Sequence, residues 1–197
     1  DLNLDADVQI DRAVELAVFP EALSSLGASG ELHFAGQMTG VWKNPGVRGD
    51  VRISDFTLRG EKLGDLSLTG GYQDGRLAIS ELTIQQPQGG KLQVAGFLTS
   101  KSAAEGALLS DHLSEFALGV KLKEFDIGPL LAAIIDPDIW HGACEFFPEF
   151  NGISGSLLVK GDGANINNLV VSSTLEAESV KWRQTGLHQM AAGFSMS

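Results

Sequence analysis

Cysteine is almost absent: Cys144 stands alone in 197 residues, so no internal disulfide can staple the chain. That suits a cytosolic protein, and equally an exported one that does without disulfides. Long apolar runs are missing too. No stretch reaches the roughly 18 apolar residues a membrane-spanning helix needs, and Asp1 opens a polar stretch rather than a secretory leader. Positive charge is scarce, with 14 Lys and Arg against 25 Asp and Glu and a net charge of −11. Nucleic acid is therefore not an expected ligand, because phosphate backbones require clustered cations. The charges instead alternate in sign along outward faces, as on a solvated exterior. The start in a polar stretch and the ending "AAGFSMS", which reads as mid-strand, make the expected object a fragment of a longer protein.

Glycine is in excess. There are 24, about twice the number that average usage of roughly 7% implies. They lack the three-residue period of collagen and punctuate short runs in which apolar and polar residues alternate, the period of a half-buried strand. "NPGVRGDVRISDFTLRG" puts Val47, Val51 and Ile53 on one face and Arg48, Asp50 and Arg52 on the other. After Asp55 the parity slips by one residue and the apolar face continues through Phe56 and Leu58, which predicts a β-bulge that bends the strand. The same pattern supplies Leu32 and Phe34, then Leu66 and Leu68, then Leu77 and Ile79 after the hairpin pair Asp74-Gly75. Leu82 and Ile84, Leu92 and Val94, and finally Phe116, Leu118, Val120 and Leu122 continue it. Roughly a dozen strands joined by short turns predict an antiparallel meander.

Two segments break the alternation. Residues 19–26 ("FPEALSSL") and 128–135 ("GPLLAAII") carry proline near the first helical position and predict two short helices. Their neighbourhoods match. "GELHFAG" at 30–36 parallels "GSLLVKG" at 155–161, a spacing of 125, which pairs Leu32 with Leu157 and Phe34 with Val159. The next strand matches at a spacing of 124, placing Val47 on Val171 and Val51 on Leu175, with a second parity slip at Glu178-Ser179. The expected organisation is two repeat-like units, about 19–127 and an incomplete 128–197, with an aromatic-rich insertion at 136–151.

The run of motifs resembles the TamB and AsmA-like family. The strand signatures at 30–36, 49–58, 63–70, 75–84 and 89–98, with Asn44-Pro45 between the first two, carry the resemblance. So does "FDIGPLLAAI" followed by "ISGSLLVKG". The resemblance implies a periplasmic location and an N-terminal inner-membrane anchor outside these residues. It also implies a long curled sheet with a hydrophobic groove, phospholipid as cargo between inner and outer membranes, and an outer-membrane barrel as a partner. No enzyme activity and no cofactor are expected, because the residues offer no catalytic constellation.

Physical reasoning reaches a similar shape. A sheet with one apolar face buries it on a second layer, on itself or on ligand. Two short helices do not cover a dozen strands, and a closed barrel of that size has a lumen too wide for side chains to fill. The expectation is a mainly β protein built as a curled antiparallel half-pipe with an apolar concave face lined by the residues named above. The alternative is a closed β-sandwich with a dry core. The corresponding functions are shielding of phospholipid acyl chains along the groove, or a scaffold that binds partner proteins through its sheet edges. Exposed edges also predict edge-to-edge self-association.

Reactive constellations are thin. His141 and Cys144 are too few for a zinc site. "GISGS" at 152–156 misses the nucleophile-elbow pattern at its last position, and "KGDGAN" has no lysine after its glycines to hold phosphate. The histidines at 33, 112, 141 and 188 share no obvious site. The insertion groups Trp140, Phe146, Phe147 and Phe150 among acidic residues. Those aromatics read either as filling for a core corner, the preferred reading, or as a gate over the groove.

Overall fold

In the computed structural model the described residues are 2–10, 27–41, 44–100, 113–134, 149–162, 165–182 and 185–196. They form ten strands in one sheet: β1 (Leu2–Gln9), β2 (Ser29–Val41), β3 (Asn44–Leu58), β4 (Glu61–Gln73) and β5 (Arg76–Gln85), then β6 (Lys91–Ser100), β7 (Leu113–Phe125), β8 (Glu149–Asp162), β9 (Asn165–Trp182) and β10 (Thr185–Met196). Spatial order equals chain order, and every neighbouring pair is antiparallel. The strands are thus an uninterrupted meander, open at β1 and β10. One helix, α1 (Gly128–Ile134), follows β7. The other expected helix, at 19–26, lies outside the described residues.

The turns follow from backbone chemistry. Asp74 and Gly75 both have positive φ, 52° and 75°, as the expected tight hairpin requires. Arg59 and Gly60 do the same between β3 and β4, at 51° and 82°. The parity slip in β3 is a bulge: the register with β4 shifts between Ile53 and Phe56, and Asp55 takes φ 51°. Its expected counterpart at Glu178-Ser179 is different. There β9 keeps register with both neighbours, Asn151 opposite Ser179 and Ser179 opposite His188. Similar sequence patterns on two strands therefore have different ladders.

A related difference separates β2–β3 from β8–β9. Gly30 and Gly155, matched in sequence, share an unusual φ of 140° and 142°. A Cβ at Gly155 would lie 2.1 Å from the Thr174 carbonyl oxygen, so the strand runs too close to β9 for any side chain there. Yet Leu32 faces Ile53, whereas its sequence counterpart Leu157 faces Ser173, not Ala177 as the 124-residue spacing would have it. The second pair has slid by four residues. An even slide keeps every side chain on its own face, so the pattern tolerates it.

One face of the sheet is systematically less exposed than the other. From β2 to β9 every described side chain on the apolar face is buried or half-buried, whereas most on the opposite face are exposed. A flat single sheet would expose both faces alike; this one curls around its apolar side. The closed-sandwich alternative is not what the described residues build, since all ten strands belong to one sheet. The core occupies one margin of the concave face. Ile53, Leu58, Leu63, Ile84, Leu92 and Phe125 pack there with Ile10, Ala28 and Ala133, and Ile127 and Leu130 lean on the cluster. Phe125 and Leu63 are 0% and 1% exposed. Helix α1 leaves β7 and packs back over β4, sealing this margin.

A buried amide fastens the helix junction. Gln86, 2% exposed in the β5–β6 turn, donates from Nε2 to the Asp126 carbonyl (2.8 Å) and accepts from the Asp126 N–H at Oε1 (2.9 Å). Asp126 in turn accepts from the Gly128 N–H at its carboxylate, 3.0 Å away, at the start of α1.

Candidate functional site

The concave face is built from rows that cross the strands. Antiparallel register places residues opposite one another, and side-chain alternation puts every second residue on the same face. One row runs Ala6, Phe34, Val51, Leu68, Leu82, Val94, Val120, Leu157, Ser173 and Phe194, a residue from each strand. Two residues away on each strand lies a second: Val8, Leu32, Ile53, Leu66, Ile84, Leu92, Leu122, Gly155, Leu175 and Ala192. On the other side lies a third, from Leu4 through Gly36, Gly49, Gly70, Ile79, Gly96, Leu118, Val159 and Val171 to Met196. A fourth, from Leu2 to Gly161, includes Val47, Tyr72, Leu77 and Phe116.

All the lining residues read from the sequence lie on this face. Their surroundings differ. Ile53, Leu58, Ile84 and Leu92 are buried in the closed margin under α1, and Phe56 packs against that cluster. Val47, Leu77, Ile79, Phe116, Leu118, Leu157, Val159, Val171 and Leu175 are half-buried on the floor beyond it. Of the gate aromatics, Trp140, Phe146 and Phe147 lie outside the described residues. Phe150 is in β8 opposite Val180.

Sequence reasoning missed three features. Phe125, the last residue of β7, belongs to the closed margin, and Ile153 opposite it in β8 is buried too; no alternation marks a last strand residue as buried. Gln86 reads as an ordinary turn residue. Ser173 interrupts an apolar row at 7% exposure, and its Oγ has no hydrogen-bond partner. The run "VVSSTL" hides it, because the serine of correct parity is flanked by one of the wrong parity.

The opposite face is polar and solvated. Its depressions are shallow; one of about 500 Å³ spans β5 to β9 beside Glu81, Gln93, Lys121 and Thr174. Glu81 accepts hydrogen bonds from Gln93 Nε2 (2.8 Å) and Thr83 Oγ1 (3.1 Å), which hold its carboxyl below the ordinary range. His33 Nδ1 lies 2.8 Å from Asp7 Oδ1 across β1–β2. Arg76 covers the Phe97 ring at 4.1 Å, shielding an aromatic that faces outward. Among the described residues no three His, Cys, Asp or Glu are grouped to hold a metal ion, and no helix is long and apolar enough to cross a membrane.

No protein-family model, curated protein or solved structure matches this chain. The resemblance to TamB and AsmA-like proteins rests on the sequence motifs alone, and the concave apolar face stands on its own geometry.

Proposed function

We propose that this chain is a non-enzymatic segment of a bridge-like lipid transport protein, with the concave face shielding phospholipid acyl chains. The observation that carries the reading is the continuity of the apolar rows across the sheet, buried or half-buried from β2 to β9 and without a second sheet over them among the described residues. Nine strand spacings of about 4.8 Å make a trough of about 43 Å. One leaflet of a bilayer core is about 15 Å thick, so an acyl chain fits along the trough with length to spare. Transfer of each CH₂ from water to such a surface is worth about 0.8 kcal/mol, which makes a wetted floor a poor competitor to a lipid-covered one.

In this reading the full-length protein sits in the periplasm, anchored at the inner membrane, and hands lipid toward an outer-membrane barrel partner. The charged convex face keeps the segment in water and away from nucleic acid. Movement along the trough is passive, since the described floor residues offer no fixed charge to hold a headgroup.

The test is native mass spectrometry of protein purified without detergent. Phospholipid is expected on the parent and on Thr174→Asp, which alters the convex face, and is expected to be lost from folded Val51→Asp and Leu118→Asp. A lipid-free parent whose floor amides resist hydrogen exchange would sink the proposal. It would favour the second reading, a scaffold that recruits proteins along the open edges at β1 and β10, where Leu2 is 51% exposed.

A further inference from the structure

The row that runs from Ala6 to Phe194 contains one polar side chain. Ser173 sits between Leu157 on β8 and Phe194 on β10, with Val171 and Leu175 two residues away along its own strand. It is 7% exposed and its Oγ has no partner. Ile53 faces Leu32 at the corresponding place in the β2–β3 pair, so the four-residue slide has put a hydroxyl where the other pair has a core isoleucine. An isolated hydroxyl in apolar surroundings is costly, and a native structure that keeps one normally gives it a partner. The hydroxyl can donate one hydrogen bond and accept two.

We infer that Ser173 is a polar anchor for the ester end of an acyl lipid, its Oγ–H donating to an ester carbonyl. The inference rests on the lipid reading above and gives it a direction. Along the row from Ser173 toward β2 lie only apolar residues, Leu157, Val120, Val94, Leu82, Leu68, Val51 and Phe34. A carbonyl held at Ser173 therefore sets the glycerol end near β9 and the hydrocarbon toward β2. An acyl chain is the occupant that matches this lining, apolar for many ångströms and carrying its acceptor at one end.

The test compares dipalmitoylphosphatidylethanolamine with its dihexadecyl ether analogue, which has the same headgroup and chain length but no ester carbonyl. Binding to the 197-residue chain is read by native mass spectrometry titration for parent, Ser173→Ala and Ser173→Val. The parent is expected to prefer the ester lipid by about fivefold, in the range of one net hydrogen bond. Both variants are expected to bind ester and ether equally, while melting no lower than the parent when lipid-free. Equal binding of the two lipids by the parent, or a preference that survives in Ser173→Ala, overturns the anchor and leaves the lipid reading standing. A parent that binds neither lipid removes both the anchor and the lipid reading.

Discussion

At the scale of single residues, Gln86 concentrates more consequence than its place in a turn suggests. Its side-chain amide, itself buried, satisfies both the N–H and the C=O of Asp126. Gln86→Leu is expected to lower unfolding free energy by about 2–4 kcal/mol in urea titration, because two part-buried backbone groups lose partners at roughly 1–3 kcal/mol each. Phe125→Ala, at a fully buried site, is expected to cost about 3–5 kcal/mol in the same assay. The exposed pair at the β3 bulge is of another kind. Lys62 Nζ lies 2.8 Å from Asp55 Oδ1 and holds that carboxyl below its ordinary 3.8, while Asp55 holds Lys62 above 10.5. The carboxylate's contribution is present above 3.8 and fades as pH falls through the depressed value. The ammonium's contribution is present below 10.5 and fades as pH rises through the raised one. Lys62→Met is expected to flatten both limbs slightly in melting curves taken across pH, the effect staying small because solvent screens the pair.

At the scale of elements, alternation made the strands legible, and with them the floor. From Val47 to Leu122 each apolar residue read from the sequence is on the concave face, because a strand has only two faces and parity chooses between them. The bulge at Asp55 was legible for the same reason. Register was not. The match between "GELHFAG" and "GSLLVKG" says nothing about which residue of the next strand lies opposite, and a four-residue slide leaves the pattern intact. Nor could alternation separate the closed margin from the open floor, since Ile53 and Val51 look identical until α1 is seen to cover one end. Ser173 was illegible because its polarity argues against the face it occupies. The tight crossing at Gly155 gives the element-scale prediction. Gly155→Ala is expected to destabilise by well over 2 kcal/mol, combining the left-hand backbone penalty with a methyl set against the Thr174 carbonyl. Gly119→Ala, in ordinary strand geometry with its nearest neighbour 3.8 Å from the added carbon, is expected to change stability by less than about 1 kcal/mol. Equal losses in the two variants would contradict the close approach.

At the scale of the whole molecule, the two free edges decide behaviour in solution. β1 and β10 end the ladder, and each has one row of backbone groups without a strand partner among the described residues. Such edges pair with whatever extended chain is offered. Sedimentation velocity is expected to show association that rises with concentration and weakens in Asp5→Pro, which removes a donor from β1 and stiffens it. A protein that stays monomeric at high concentration would mean the edges are already blunted.

The identity of spatial and chain order has one more consequence. No strand waits for a distant part of the polypeptide before it can pair; each needs only the one made just before it. Contact order is correspondingly low for a β protein, and the entropic cost of closing long loops, which slows most sheets, hardly arises. A chain delivered N-terminus first can therefore add hairpin after hairpin to a growing edge as it emerges. Evolution can lengthen or shorten the product by whole hairpins without rethreading what is already folded.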